Sequence, residues 1–218
     1  MPTSTVEDYL KCIYLESRGA PDERASTGRI ATALNVAPGT VTAMMKTLTE
    51  SGLVGYEPYA GVRLTEAGLR LATHVLRRHR LVELFLVRIM GMDWSEVHEE
   101  AEVLEHAVSE RLIERIDSML GQPSVDPHGD PIPTAGGEID EPELDDLLTC
   151  AVRRRLTVAR VTDQRTEFLQ LLDRHGVTPG QSVLVLSRDT LTETVRLDTR
   201  DGGGLQLGFR AASKILVR

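Results

Sequence analysis

The chain of 218 residues contains only two cysteines, Cys12 and Cys150, which lie far apart with no CxxC pair. This scarcity excludes a disulfide scaffold and a zinc site built from cysteine alone, and it is typical of a reducing compartment. Long apolar runs are also missing: the longest are four residues, such as Leu84–Val87, whereas a transmembrane helix needs about 20. The first residues lack the basic and then apolar pattern of a signal peptide. We therefore expect a cytoplasmic protein that does not enter a membrane.

Positive charge is scarce in the middle of the chain. Residues 81–150 contain 3 Lys or Arg against 18 Asp or Glu, whereas residues 1–80 contain 10 against 8 and residues 151–218 contain 12 against 7. A charge balance that changes from block to block indicates separate modules. The net charge of −8 is therefore a weak argument against nucleic-acid binding, because the first block is mildly basic.

The first 90 residues carry the pattern of a winged helix-turn-helix. Apolar residues recur at helical spacing, and Gly52 is suited to end a helix in the left-handed conformation. Two short strand-like runs then predict a hairpin, the wing. The predicted helices cover residues 6–17, a short stretch beginning at 26 or 27, 40–51 and 65–90, and the hairpin strands cover 53–56 and 61–64.

The rest of the chain changes from helical to strand periodicity. Helices are predicted from residue 93 or 95 to about 109 and over 110–120, followed by a proline-rich and glycine-rich stretch at 121–146 that predicts an irregular linker. Short strands are predicted at 155–161, 182–187, 193–198 and 205–207, with a helix at 166–175. We therefore expect a mainly α fold with small β elements, ending in a small barrel like a Src-homology-3 domain.

The second helix of a helix-turn-helix lies in the DNA major groove. Small residues there let the backbone approach the bases, and Lys46 and the wing residue Arg63 are suited to phosphate contacts. Because this helix offers no Arg, Asn or Gln for a bidentate base contact, direct readout should be modest. Winged helices also serve as protein-interaction modules, and that alternative stays open. The candidate DNA contacts are Thr27, Ala37, Pro38, Gly39, Thr40, Thr42, Ala43, Lys46 and Arg63.

Histidines and carboxylates align on two helices of the acidic block. At about 100° per residue, the four on the second helix fall within an arc of about 100°. Imidazoles and carboxylates grouped in this way are costly to bury without a cation. The alternative is a solvated acidic surface, for which Glu99, Glu100, Glu110 and Glu114 are candidates. The aligned residues are His79 and Glu83 on the first helix, and His98, Glu102, Glu105 and His106 on the second.

Enzyme signatures are missing from the same region. The HxxEH and HExxH patterns of zinc hydrolases, a paired Glu-x-x-His di-iron motif, a phosphate-binding glycine loop and a GxSxG elbow are all absent. We therefore expect neither an enzyme nor a small organic substrate. The metal is expected to act as a signal.

Taken together, these residues resemble the diphtheria toxin repressor and manganese transport regulator family of metal-activated bacterial repressors. The resemblance implies a homodimer that binds palindromic operator DNA when metal is bound and represses metal-uptake genes. The alternative is a metal-binding winged-helix protein that acts through protein partners or metal buffering, without metal-gated DNA binding. The motifs that carry the resemblance are Glu7-Asp8-Tyr9-Leu10, Leu64-Thr65-Glu66-Ala67-Gly68, His79-Arg80-Leu81, Val97-His98-Glu99-Glu100-Ala101, Glu105-His106 and Gly129-Asp130-Pro131-Ile132-Pro133.

The family pattern implies two metal sites in each subunit and four segments. The primary site is Asp8, Glu102, Glu105 and His106; the ancillary site is His79, Glu83 and His98, completed by Gln164 and Glu167. The segments are a winged-helix DNA-binding domain at 1–73, a helical metal-binding and dimerisation domain at 74–140, a linker at 141–153 and a domain resembling Src-homology-3 and FeoA domains at 154–218.

Two departures from the family pattern favour manganese and separated sites. Iron-type members carry sulfur ligands where this chain has Asp8 and Glu102, and oxygen with imidazole suits the harder Mn²⁺ ion. The short manganese regulators have a carboxylate where this chain has Lys11, so their closely spaced binuclear site is not expected here. We expect Mn(II) as the activator, with Fe(II) as a second candidate.

Overall fold

The computed structural model describes residues 3–199 and 203–218. The chain divides into two units, one formed by residues 1–78 with 133–139 and the other by residues 79–132 with 140–218. Helix α4, Glu66–Arg88, contributes residues to both units. Among the described residues, no helix combines the length and the apolar character needed to cross a bilayer.

The first unit is a winged helix-turn-helix, as predicted. Ser26 caps α2 by accepting a hydrogen bond from the Arg29 amide, and Gly52 has a φ of 71° just after α3. Helix α3 begins two residues earlier than predicted, because the fixed φ of Pro38 suits the first helical position. The elements before α4 are α1 Ser4–Ser17, α2 Thr27–Ala33, α3 Pro38–Glu50, β1 Val54–Glu57 and β2 Gly61–Leu64.

Apolar faces of these helices form the core of the first unit. Leu10 and Ile13 of α1, Ile30 of α2, and Met45 and Leu48 of α3 are almost completely buried together. Strand β1 pairs with β2 in antiparallel register, Val54 opposite Leu64. Because Met45 and Leu48 anchor one side of α3 in this core, the opposite side of the helix is held in place while it stays exposed.

The second unit joins the end of α4 and two short helices to an antiparallel β domain. Its six-stranded sheet has the order β3-β8-β4-β5-β6-β7, and Val158, Val183 and Leu197 are among the residues that fill its core. The remaining elements are α5 Val97–Leu104, α6 Glu110–Met119, β3 Asp145–Asp146, β4 Arg155–Val161, α7 Thr166–Arg174, β5 Ser182–Asp189, β6 Thr194–Thr199, β7 Gly204–Gly208, α8 Phe209–Ala212 and β8 Ile215–Val217.

Two predicted segments differ from the structure. Helix α5 is shorter than predicted at both ends. It begins later because Asp93 accepts hydrogen bonds from the amide and the hydroxyl of Ser95 and holds a turn before the helix. Within the predicted linker 141–153, strand β3 pairs with β8, and Leu147 and Cys150 are buried in the core of the β domain. Residues 145–150 are thus part of that domain's packing.

Candidate metal centre and DNA-reading surface

Helix α3 presents an exposed first turn. Ala37 provides no side-chain cap, and Pro38 and Gly39 are exposed beside it. Uncapped backbone N–H groups at a helix start are donors for phosphate oxygens. The Thr42 hydroxyl donates to the Pro38 carbonyl at 3.1 Å, which turns this side chain back along the helix.

The other predicted DNA contacts lie on the same winged-helix unit. Lys46 is exposed on α3, and Arg63 is exposed on β2, opposite Gly55 of β1. Thr40 and Ala43 are exposed on α3, and Thr27, at the start of α2, is half-buried. The predicted residues therefore offer small side chains on α3 and cations on α3 and the wing.

On α4, His79 lies among three carboxylates of the second unit. Its Nδ1 atom is 2.6 Å from Oε2 of Glu105 and 3.5 Å from Oε1 of Glu102, and its Nε2 atom is 3.0 Å from Oε1 of Glu83. Glu83 and Glu105 are completely buried. The imidazole of His79, a residue of the predicted ancillary site, thus contacts glutamates of both the predicted primary site and the predicted ancillary site.

Two further histidines extend this cluster. Nδ1 of His98 lies 3.3 Å from Oε1 of Glu83, and its Nε2 lies 3.6 Å from Oε1 of Glu102. Nε2 of His106 lies 3.4 Å from Oε1 of Glu105. The structure therefore brings together the six histidines and glutamates that the sequence aligned on two helices. The carboxylates considered as a solvated surface, Glu99, Glu100, Glu110 and Glu114, are exposed.

A third group that sequence analysis missed lies on the other side of Glu83. One ligand atom from each of Glu83, Asp126 and His128 lies within 4.8 Å of the others, and all three residues are buried. Within the described residues, Oε2 of Glu83, Oδ2 of Asp126 and Nδ1 of His128 are buried without a hydrogen-bond partner. Such orphaned atoms are costly in an interior, and a cation satisfies all three.

The hydrogen bond of the second ring nitrogen orients His128. Its Nε2 atom lies 2.9 Å from the carbonyl oxygen of Trp94, which can only accept. A proton on Nε2 leaves the Nδ1 lone pair facing Glu83 and Asp126. Metal-binding histidines are commonly fixed in this way by a carbonyl on the other nitrogen.

The electrostatics of the group favour positive charge. Burial acts to lower the pKa of His128, but the contact with Glu83 and the charges of Glu83 and Asp126 raise it to about 9. Burial, with the charges of Asp130 and Glu83, raises the pKa of Asp126 to about 8. Burial acts to raise the pKa of Glu83, but the charge of His79 and contacts with nearby histidines hold it well below its usual range. Without metal, His128 and Asp126 hold protons at neutral pH, and these protons balance the negative charge of the group.

The remaining predicted ligands are Gln164, Glu167 and Asp8. Gln164 donates from Nε2 to Oδ2 of Asp130 at 2.9 Å, and Glu167 is exposed on α7. Both line a cavity that His98 also lines. Asp8 is half-buried on α1 of the first unit.

The sequence contained a weak signal for the missed group. Asp126 and His128 are two residues apart, but they lie in the proline-rich and glycine-rich stretch that predicted a linker. No helical or strand periodicity places such a segment against α4. A buried histidine and aspartate in an irregular segment become recognisable only once that segment has been placed.

Comparisons with known protein families cover almost the whole chain. Residues 1–62 match the family described as the N-terminal DNA-binding domain of iron-dependent repressors. Residues 65–134 match the metal-binding and dimerisation domain of the same repressors, and residues 146–218 match the FeoA domain.

Individual relatives agree with these matches. The iron-dependent repressor IdeR of Mycobacterium tuberculosis is 36% identical over 220 residues, covering 93% of this chain and 87% of that protein. A solved structure of a manganese-dependent transcriptional repressor in complex with manganese is 40% identical with a TM-score of 0.87, covering 97% of this chain and 98% of the other. The structure of ScaR with bound Cd²⁺ is 36% identical with a TM-score of 0.82, covering 100% and 99%.

Proposed function

Because the chain belongs to the iron-dependent repressor family of metal-dependent transcriptional regulators, we propose that it is a manganese-activated repressor. It binds palindromic operator DNA as a homodimer when metal is bound and represses metal-uptake genes, with Fe(II) as a second activator. The observation that carries the proposal is the buried set of orphaned oxygen and nitrogen atoms on Glu83, Asp126 and His128. An interior of this kind is suited to a divalent cation.

The donor types support manganese. The cluster around His79 and the group of Glu83, Asp126 and His128 both consist of imidazole and carboxylate groups, and neither contains a sulfur atom. Since Mn²⁺ binds weakly in the divalent series, selectivity depends on geometry and on metal availability in the cell. The similarity of this chain to a manganese-dependent repressor whose solved structure contains manganese supports that choice.

We assign two ions to each subunit. Glu102, Glu105 and His106 hold the primary ion, to which the family resemblance adds Asp8. For the second ion we retain His79, Glu83 and His98 from the predicted ancillary set, which also included Gln164 and Glu167, and the geometry around Glu83 adds Asp126 and His128. The boundaries at residues 73 and 140 remain our proposal for the functional domains, whereas the β domain takes in residues 145–150 of the predicted linker, because Leu147 and Cys150 lie in its core.

Bound cations supply positive charge where the chain concentrates its carboxylates. Without them Glu102 and Glu105 repel one another, and the charge of His79 is what holds the pKa of the buried Glu83 low. Neutralising this acidic block lowers its repulsion of DNA phosphates. The exposed cations Lys46 and Arg63 then contact the phosphate backbone of the DNA. Helix α3 reads the major groove of each half-site, and the half-sites lie about 34–36 Å apart.

Fluorescence anisotropy on DNA from the protein's own promoter region tests the function. Binding is compared at fixed salt in chelator, in Mn²⁺ and in anaerobic Fe²⁺. We expect strong binding in Mn²⁺, weaker binding in Fe²⁺ and none in chelator. An equal response to both ions would remove the argument from ligand hardness. DNA affinity that metal leaves unchanged would favour metal buffering or a protein partner instead.

A further inference from the structure

The loop that carries Asp126 and His128 is closed on itself by Asp126. Its Oδ1 atom accepts hydrogen bonds from the amide of His128 at 2.8 Å and from the amide of Asp130 at 2.9 Å. The Asp126 amide donates in turn to the Asp130 carbonyl at 2.9 Å. One carboxylate oxygen therefore shapes the loop, and the other, Oδ2, is buried without a hydrogen-bond partner among the described residues.

Strand β4 of the C-terminal β domain lies directly against this loop. The register of β4 against β8 shifts between Val158 and Arg160, and beyond the shift the Val161 amide donates to the His128 carbonyl at 2.8 Å. Gly129 has a φ of +85°, and a Cβ atom on it would lie 2.0 Å from the Ala159 carbonyl oxygen. The irregular part of β4 and the loop thus fit without space for a single methyl group.

Asp130 fastens the same loop through its side chain. Its carboxylate forms an ion pair with Arg160 of β4 and accepts a hydrogen bond from Gln164, in the segment between β4 and α7. Arg80 of α4 lies 3.6 Å from Oδ1 of Asp130 and 3.7 Å from Oδ2 of Asp126. Asp130, Arg80 and Arg160 are all buried or nearly so.

We propose that the C-terminal β domain positions the metal-binding loop. The irregular part of β4 packs against Gly129, and Arg160 and Gln164 bind the side chain of Asp130. These contacts hold Asp126 and His128 against Glu83. The inference rests on the proposed function, since it requires a cation at Glu83, Asp126 and His128. In this role Gln164 is a positioning residue that donates to Asp130. Metal binding and the contact of the loop with β4 then stabilise one another, because each favours the same loop conformation.

Gly129→Ala tests the fit directly. The variant keeps every candidate ligand but forces the loop and β4 apart. Loss of groups that orient metal ligands typically weakens metal binding about 10–100-fold, and we expect a rise of that size in the Kd for Mn²⁺ at this site. Gly180→Ala is the matched control, because Gly180 has a φ of +88° and no atom within 4 Å of an added Cβ. It carries the same backbone strain without the collision.

Gln164→Glu separates positioning from direct ligation. A carboxylate at residue 164 repels Asp130 if the side chain acts on the loop, and the Kd for Mn²⁺ rises. If residue 164 is itself a ligand, the added negative charge lowers the Kd, which would overturn its positioning role. Gln206→Glu adds the same charge at an exposed position of β7 and serves as the control.

The measurements use the full chain. Emission of Trp94, the single tryptophan, reports on this site because its ring centroid lies 5.6 Å from that of His128. Equilibrium dialysis gives the number of ions bound, and far-UV circular dichroism with urea unfolding in chelator verifies folding. Arg160→Met should weaken binding and Arg160→Lys should partly restore it, which a loss of stability alone does not explain.

His128→Gln distinguishes the two possible failures. If this variant binds one ion fewer while Gly129→Ala and Gln164→Glu match their controls, the metal site is real and the positioning role is wrong. If His128→Gln loses no ion, the second metal site of the proposed function is wrong, and the positioning role is overturned with it. The expected result is one ion fewer for His128→Gln, with Kd values raised by Gly129→Ala and Gln164→Glu only.

Discussion

The Nδ1 atom of His79 lies 2.6 Å from Oε2 of Glu105, and this contact joins helix α4 to the end of helix α5. Its other nitrogen lies 3.0 Å from Oε1 of Glu83, so one imidazole makes the shortest histidine contact with each of two buried carboxylates. Removing one partner of a buried pair typically costs about 3–5 kcal/mol, because the remaining charge is left uncompensated.

His79→Ala is therefore expected to lower the free energy of unfolding in chelator by about 3 kcal/mol. Urea unfolding followed by circular dichroism measures the loss. His74→Ala, on the same helix but half-buried, should cost much less. Equal losses in the two variants would show that the carboxylates do not depend on His79.

Much of the fold follows from local sequence, because the winged helix is built from periodic helices with clear ends. The short helix predicted to begin at residue 26 or 27 starts after a Ser26 cap, and Gly52 has the left-handed conformation that was predicted from its residue type. Strand β8 was missed, since three residues carry too little alternation to predict a strand. The start of α5 depends on the turn at Asp93, which competes with helix formation.

The candidate site was predictable only in part. The histidines and glutamates of α4 and α5 share a helical period, so their convergence could be expected from spacing. His128 has no such period, and its position depends on tertiary contacts with β4 and Trp94. The assignment of Gln164 as a ligand came from resemblance, whereas its contact with Asp130 required the folded chain.

The stability of the metal-free protein should fall as pH rises. The pKa of His128 is raised from 6.5 to about 9 in the folded protein, so its contribution is fully present below pH 6.5 and is lost as pH rises through 9. Asp126, whose pKa is raised to about 8, acts in the same direction. Urea unfolding in chelator at pH 6, 7.5 and 9 measures the slope. His128→Gln should flatten it, and an unchanged slope in that variant would contradict the assignment.

Neither cysteine should react in the folded protein. Both thiols are buried, and burial, with a contribution from Glu16, raises the pKa of Cys12 to about 12. Because the thiolate is the reactive form, a thiol reagent at pH 8 should modify neither Cys12 nor Cys150 until denaturant is added. Rapid labelling of native protein, located by mass spectrometry, would show that the segment around that cysteine opens.

Lys46→Ala should weaken DNA binding to a similar extent on different sequences. An exposed lysine on the recognition helix is suited to a phosphate contact, and losing one such contact lowers the slope of log K against log salt by about 1. Anisotropy titrations in Mn²⁺ at several salt concentrations measure that slope. Lys214→Ala removes an equally exposed charge from the C-terminal β domain and should leave it unchanged. A change in sequence preference with an unaltered slope would instead indicate a base contact.

Asp8→Ala should abolish metal stimulation of DNA binding while leaving the winged helix folded. Asp8 is half-buried on α1, whose core residues Leu10 and Ile13 are untouched by the change, so we expect stability to fall by less than about 1 kcal/mol. Dialysis should show one weakened ion, and anisotropy should give the same weak DNA affinity in chelator and in Mn²⁺. Asp22→Ala, an exposed aspartate in the same unit, is the control. Normal stimulation of Asp8→Ala by Mn²⁺ would mean that the primary ion is held without α1, and that metal reaches the DNA-binding unit by another route.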